Sequence, residues 1–371
     1  MSKVYEALPV NYNGEHIYDI AYSNNFDGLA TFFKSYNPEG TKKLCIVSDS
    51  KVASYYMDAI LDIAGPCFSK VVSYVFEEGE QSKTLDTVRG LYVKLIEEKF
   101  DRKCLLLALG GGVTGDMCGY AAATFLRGID FIQVPTSLLA DVDSSIGGKT
   151  GVDFDQYKNM VGAFHMPKLV YINLNTISTL DRRQFYSGMG EVVKSALIKN
   201  ADFYNWLSDN INSIETLDEE TLQSMIYKCN IVKKNVVEDD PHETKGERAL
   251  LNFGHTLGHA IEKYMNFEFL HGECVSIGCI MASYISVEKG LLSKEDADNI
   301  ANLIANNFNL PKLPADIDIN KVVEFTHNDK KVVGTSIKFI LLDRIGNAII
   351  STDVTDDDMK AAIKQYMANW C

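Results

Sequence analysis

Apolar runs alternating with helical stretches over the first half of the chain, then helical periodicity over most of the remainder, predict an α/β domain followed by a mainly α-helical one. A third observation narrows the first domain. Leu109-Gly-Gly-Gly-Val-Thr-Gly-Asp116 follows an apolar run and opens a helix, with Gly110, Gly112 and Gly115 in GxGxxG spacing. That context predicts a Rossmann-like parallel sheet whose first backbone N–H groups after the turn can approach a pyrophosphate. The strand candidates of the first half end near 172, so the domains are expected at 1–175 and 176–371, with the site at their junction. A chain of 371 residues is long for a single core.

Taken in order, Val4 to Tyr22 reads as a hairpin turning at Asn13-Gly14, the dipeptide suited to a type I′ turn. Lys43–Ser48 is a strand candidate followed by a helix from Val52 to Ala64. Val71–Phe76 precedes a helix from Thr84 to Lys99, and Cys104–Leu109 and Phe131–Val134 follow. Their near-continuous apolar character is that of strands covered on both faces. From Thr176 to Phe308 the pattern is helical. Ser293-Lys-Glu-Asp296 resembles a capping box, with Ile300, Leu303, Ile304 and Phe308 on one apolar face. Ser336–Leu342 and Ala348–Ser351 predict a small hairpin around Arg344-Ile-Gly346, and Thr355 is the expected cap of a final helix opening on Asp356 to Asp358.

Composition removes several function classes. The formal charge of −14 is opposite to what a nucleic-acid partner requires. No apolar run reaches the ~20 residues of a bilayer span, so no membrane partner is expected and a cytoplasmic location is. Eight cysteines without a CxxC pair read as buried free thiols.

Against that charge, Asp143-Ser-Ser-Ile-Gly-Gly-Lys149 and Lys158-Asn159 concentrate lysine and glycine beyond a strand, joined by Arg127, Lys194, Lys234, Arg248, Lys330 and Lys331. Such a set suits a polyanionic small molecule bearing phosphate and carboxylate. Asp49 sits at a strand end, upstream of the glycine turn; Asp130, twenty residues beyond Gly110, precedes its strand and lies at the wrong end. Thr136 and Ser137 are hydroxyl donors at a strand end, or alternatively a helix cap. Three of only seven histidines, His255, His259 and His271, fall within one short stretch. A spacing of four puts His255 and His259 on one helix face. We read two metal ligands and one proton-transfer histidine there, set against a pair of satisfied core histidines. Glu191, three residues before Lys194, is a third-ligand candidate or an ordinary helix ion pair.

Together and in this order these segments resemble the 3-dehydroquinate synthase family of sugar phosphate cyclases. The most specific parts are Val142 through Lys149, Lys158-Asn159 and Arg248 through Glu262. Departures are Ser137 where a second Thr is common, Tyr120 for Phe and Asp141 for Gln. The resemblance implies a dehydroquinate synthase-like fold, an NAD cofactor, and zinc (or cobalt) held by Glu191, His255 and His271, leaving His259 as the acid/base group. It implies NAD contacts at Asp49, Glu78, Gly79, Glu80, Lys83, Gly111, Gly112, Val113, Gly115, Asp116, Thr136, Ser137, Lys149, Lys158, Thr176 and Thr179. It implies substrate contacts at Arg127 (across a homodimer interface), Asn159, Lys234, Arg248, Lys330 and Lys331, and a catalytic set of His259, Lys149, Asp143, Lys194 and Asn252, most of them also touching substrate.

The reaction so implied converts 3-deoxy-D-arabino-heptulosonate 7-phosphate, a phosphorylated sugar acid, into 3-dehydroquinate and phosphate. It proceeds by transient oxidation, elimination, reduction and aldol closure, a shikimate-pathway step toward aromatic amino acids. Rival readings are another sugar phosphate cyclase, a metal-dependent polyol dehydrogenase, or a catalytically silent NAD-binding protein.

Overall fold

The computed structural model describes residues 7–155, 157–327, 332–333 and 336–371. The chain forms two compact units, Met1–Leu180 and Asp181–Cys371. Lys330 and Lys331, and the Val4–Glu6 start of the expected first strand, lie outside the described residues.

The first unit runs β1 (Leu8–Tyr12), β2 (Glu15–Ser23), α1 (Gly28–Tyr36), β3 (Lys43–Asp49), α2 (Ser50–Ala64), β4 (Lys70–Phe76), α3 (Leu85–Glu97), β5 (Leu105–Gly110), α4 (Gly112–Thr124), β6 (Asp130–Pro135), β7 (Lys149–Phe154), β8 (Tyr157–Phe164) and β9 (Leu169–Asn173). Seven strands make one sheet in the order β1-β2-β9-β6-β5-β3-β4; β1 is antiparallel to β2 and the remaining pairs are parallel. Asn13 and Gly14 both have positive φ, 52° and 81°, as a type I′ turn demands.

Alternation along the buried strands explains their unbroken apolar sequence. Cys45, Val47, Leu106 and Ala108 pack with α3 and α4 residues such as Leu91, Leu95, Met117 and Ala121. Leu44, Ile46, Leu105, Leu107 and Leu109 face α1 and α2 through Leu29, Phe33, Met57 and Ile60. The chain moves outward from β3 to β4 on one side and from β5 to β6 on the other. The strand order therefore reverses between β3 and β5, where open α/β sheets bind ligands at the carboxyl ends.

Residues 149–154 and 157–164, for which the sequence offered no strand candidate, are strands. They form the antiparallel pair β7·β8, with Val152 in the core against α4. Gly162 permits the pairing, since a Cβ on it would fall 2.3 Å from the Thr150 carbonyl oxygen. Asp130 opens β6, at its amino end, and accepts a hydrogen bond from the Tyr36 hydroxyl at 2.8 Å.

The second unit contains α5 (Arg182–Lys199), α6 (Ala201–Glu215), α7 (Glu219–Asp239), α8 (His255–Tyr264), α9 (His271–Glu288), α10 (Lys294–Asn307), α11 (Ile319–His327), the short pair β10 (Val332–Val333) and β11 (Ser336–Ile337), β12 (Phe339–Arg344), β13 (Asn347–Ser351) and α12 (Asp356–Trp370). The expected hairpin is present as β12·β13, turning at Gly346 with φ 84°. Its first strand begins at Phe339, because Ser336–Ile337 pairs with β10 instead. At α10 Ser293 accepts from the Asp296 N–H, but the Asp296 carboxylate takes the Ser293 hydroxyl. That is half of the expected capping box. Thr355 and Asp358 complete a full one on α12. All eight cysteines are free, seven of them buried. Among the described residues no helix is long and apolar enough to cross a membrane.

One buried group in the first unit has no counter-charge. Asp141 lies in a wide turn, Ala140–Ser144, fully enclosed, with neither carboxylate oxygen hydrogen-bonded. Burial pushes its pKa well above the ordinary value, so the folded state holds this proton more tightly than the unfolded one. The associated stability is present below the ordinary carboxylate pKa and is lost as pH rises through the shifted value. Asp141→Asn should therefore stabilise the protein, by about 1–3 kcal/mol at pH 8 and by less at pH 5. Thermal unfolding at both pH values checks this; an advantage that does not widen with pH contradicts it.

Candidate functional site

In the first unit the glycine turn lies beside β3. Gly111 caps α4, and the Thr114 hydroxyl, one turn into the helix, approaches Asp49 at 3.5 Å. Asp49 meanwhile caps α2 by accepting from the Val52 N–H at 2.9 Å. Gly115 could not carry a side chain without striking Gln133, since its Cβ would fall 2.7 Å from the amide oxygen. Thr136 follows β6, and its N–H donates to the Gly110 carbonyl at 3.1 Å. Helix start, glycines and flanking hydroxyls thus converge at the reversal point of the sheet. Thr176 is buried and Thr179 exposed in the turn Leu174–Thr179, where Thr179 meets the Tyr56 hydroxyl at 2.5 Å.

Beside this cradle is a charged network. The buried Lys83 ammonium donates to Asp116 Oδ2 and to Asn159 Oδ1, both at 2.7 Å, with Glu80 4.0 Å away. Burial opposes the charge on Lys83, but Asp116 and Glu80 outweigh it and hold the lysine protonated. Lys158 pairs with Glu80 at 3.6 Å. Asn159 has φ 52°, and its N–H donates to Asp153 at 2.7 Å. Lys83 and Asn159, assigned above to different ligands, are therefore direct partners. Glu78 and Lys149 are exposed, as is Arg127, which sits in a turn with φ 70°. Val113 and Asp143 are partly buried.

The second unit brings Glu191, Lys194, His255, His259 and His271 together. Glu191 and Lys194 are 1% exposed and paired on α5. Glu191 Oε1 lies 3.5 Å from His255 Nε2 and 3.4 Å from His271 Nε2. Ligand atoms about 2.0–2.2 Å from a tetrahedral zinc lie about 3.3–3.6 Å from one another, so both separations suit a shared ion. The imidazoles of His255, His259 and His271 also place one nitrogen each within 4.8 Å of the others.

The other ring nitrogens determine which lone pairs face inward. His255 Nδ1 is 3.1 Å from the Phe253 carbonyl, which can only accept, so a proton sits on Nδ1 and Nε2 turns toward Glu191. His271 Nδ1 faces Glu262 Oε2 at 3.5 Å, so a proton is held there and Nε2 turns toward Glu191. Arg183 at the start of α5 grips Glu273 through Nε at 2.6 Å and Nη2 at 2.9 Å, and the Leu270 N–H donates to the same carboxylate. The first turn of α9, with His271, is thereby fixed to the helix that carries Glu191.

The remaining cations separate. Lys234 donates to Glu238 at 2.8 Å along its own helix and is neutralised there. Its neighbour Lys233, 7% exposed, lies on the buried face of α7 with Asn230 and Val237. The sequence reading named Lys234; three- and four-residue spacing from Cys229, Asn230 and Val237 marks Lys233 as the inward residue of the two. Arg248 is buried and donates to the Pro241 carbonyl at 2.7 Å. Asn252, at the end of the 3-10 turn Arg248–Asn252, donates to Ala249 at 3.1 Å.

This two-unit fold is that of the sugar phosphate cyclases. It superposes on 2-deoxy-scyllo-inosose synthase complexed with carbaglucose-6-phosphate, NAD+ and Co2+ at TM-score 0.87 and 27% identity, covering 97% of this chain and all of that one. Glycerol dehydrogenase from Schizosaccharomyces pombe, at TM-score 0.62 and 15% identity over 91% of this chain and 86% of its own, shares the fold alone. Residues 73–187 match the family 3-dehydroquinate synthase N-terminal, and residues 188–332 match 3-dehydroquinate synthase C-terminal. The 3-dehydroquinate synthase of Ruminiclostridium cellulolyticum is 41% identical over 96% of this chain and 98% of its own length. That of Acetivibrio thermocellus is 42% identical over 89% and 90%. The chain belongs to the 3-dehydroquinate synthase family.

Burial alone would lower the His271 pKa, but Glu191 and Glu262 outweigh it and push it up to about 10. Metal-free His271 is then protonated between its ordinary value and about pH 10, and a metal must displace that proton. Zinc binding at pH 7.5 should release about one proton per ion and tighten as pH rises. Calorimetry in buffers of different ionisation enthalpy measures the release; its absence would contradict a charged apo His271.

Proposed function

We propose that this chain is an NAD- and metal-dependent carbon–oxygen lyase that converts 3-deoxy-D-arabino-heptulosonate 7-phosphate into 3-dehydroquinate and phosphate. The observation carrying this reading is near-full-length identity of about 41% to named relatives, joined to the Glu191–His255–His271 spacing. When bound, the metal supplies Lewis acidity to substrate hydroxyls and NAD+ accepts and returns one hydride, so no NADH accumulates.

The chain's own residues hold and neutralise. Glu191 Oε1, His255 Nε2 and His271 Nε2 are the metal ligands, and Lys194 offsets the buried carboxylate. His259, one turn along α8 from His255, keeps a ring nitrogen beside the ligand cluster and moves a proton at the substrate. Arg248, Asn252 and Lys194 bind the anionic substrate, with Lys233 in place of Lys234. Asp143, Lys149 and Asn159 are assigned to substrate, and Arg127 to the partner copy's site in a homodimer. Asp49, Glu78, Gly79, Glu80, Lys83, Gly111 to Asp116, Thr136, Ser137, Lys158, Thr176 and Thr179 are assigned to NAD. On a protein of net charge −14 these cations are what focuses a polyanionic substrate. The location is cytoplasmic.

Purified protein with the heptulosonate phosphate, NAD+ and zinc should release phosphate and carbocycle in equal amounts without net NADH. Phosphate release with a different carbocycle would favour another cyclase, and accumulating NADH a dehydrogenase. His259→Ala should lower turnover by about 10²–10⁴-fold while keeping zinc; unchanged turnover removes His259 from the reaction. Glu191→Ala should lose zinc itself, and a variant retaining stoichiometric metal and full activity refutes the ligand set.

A further inference from the structure

We infer that Asp240 is a positioning residue that folds the 241–247 loop and thereby aims Arg248 at the substrate's anionic group; the inference rests on the substrate-binding role just proposed for Arg248. Asp240 follows the last turn of α7, where the exposed helix carbonyls make a carboxylate electrostatically unfavourable. It is nonetheless fully buried. Its partners account for this. Oδ1 accepts from the main-chain N–H groups of Thr244 at 2.7 Å and Lys245 at 3.1 Å, and Oδ2 from Gly246 at 3.1 Å and Arg248 at 3.3 Å. One carboxylate thus serves as the core of the whole loop, gathering four of its main-chain N–H groups. Those donors hold its pKa below the ordinary value despite burial.

The consequence for Arg248 is direct. Its own N–H ends on Asp240 Oδ2, and its guanidinium donates to the carbonyl of Pro241, the residue beside Asp240. Main chain and side-chain tip of Arg248 are both anchored to the Asp240-Pro241 corner. Gly246, at φ 93°, makes the turn, and its carbonyl accepts from Ala249 to begin the 3-10 turn that ends in Asn252. Without the carboxylate, that corner loses its tie to the turn and the guanidinium is no longer fixed before substrate arrives.

The test is a double-mutant cycle read by binding of inorganic phosphate and by zinc content. Asp240→Ala should weaken phosphate binding about tenfold while retaining stoichiometric zinc. Arg248→Ala should weaken it at least as much, and the double variant no further than Arg248→Ala alone, because Asp240 acts through that arginine. Asp240→Asn keeps one acceptor oxygen and should fall between wild type and Asp240→Ala, with faster amide exchange at Gly246 and Arg248. It serves as the second arm if the alanine variant fails to fold. Wild-type affinity in both Asp240 variants, losses that add in the double variant, or no phosphate binding by wild type overturns the inference. Wild type that binds phosphate yet forms no 3-dehydroquinate refutes the proposed reaction instead and leaves the positioning role standing.

Discussion

The second unit depends on main chain meeting main chain among α5, α8 and α9. A Cβ at Gly272 would sit 1.8 Å from the Ser187 carbonyl oxygen, and one at Gly278 would sit 1.9 Å from that of Gly254. No larger residue fits either position. Because these helices approach so closely, short side chains from three separate elements converge. Glu191 comes from α5, His255 and His259 from the first turns of α8, and His271 from the first residue of α9. The Gly272 N–H donates to the Ser187 hydroxyl, and Arg183 holds Glu273, so the approach is locked at the two residues that follow His271. Glycine destabilises an isolated helix, and here that cost is offset by a contact only glycine permits.

Convergence creates an electrostatic problem that the same helices solve. Glu191 is enclosed, and burial would raise its pKa, yet Lys194 and His271 hold it well below the ordinary range. Glu262, also on α8, faces His271 from the opposite side. Carboxylates and imidazoles therefore alternate, and His255 and His271 each have Nδ1 committed outward and Nε2 turned inward. That arrangement aims both Nε2 atoms at Glu191 before any cation binds, and a metal has to displace the His271 proton. In the first unit Lys83 has the analogous place, joining Asp116 of α4 to Asn159 of the β7·β8 pair.

Much of this was legible in the sequence where the signal is local. Period and apolar run length located the parallel strands, Asn13-Gly14 located the first turn, and Thr355 marked the last helix. The glycine turn was placed because a strand precedes it and a helix follows. The β7·β8 pair was missed because its strands carry lysines and glycines, and their apolar partners lie on α4, remote in sequence. Ser336–Ile337 was misjoined to the following strand for a similar reason, since its pairing partner precedes it. Lys234 was named by charge alone, and the enclosure of its neighbour Lys233 depends on the phase of α7.

By itself the sequence determined which chemistry was available: three histidines in a short stretch, an acid and a lysine three apart, and a glycine turn in the right context. Those are properties of residue type and local period, which the covalent chain carries directly. Only the tertiary structure decided which lone pairs point at one another, which of two neighbouring lysines is enclosed, and that Asp240 gathers a loop around its carboxylate. Such choices depend on distances between elements far apart in the chain, and those distances are set by backbone contacts that no local pattern encodes.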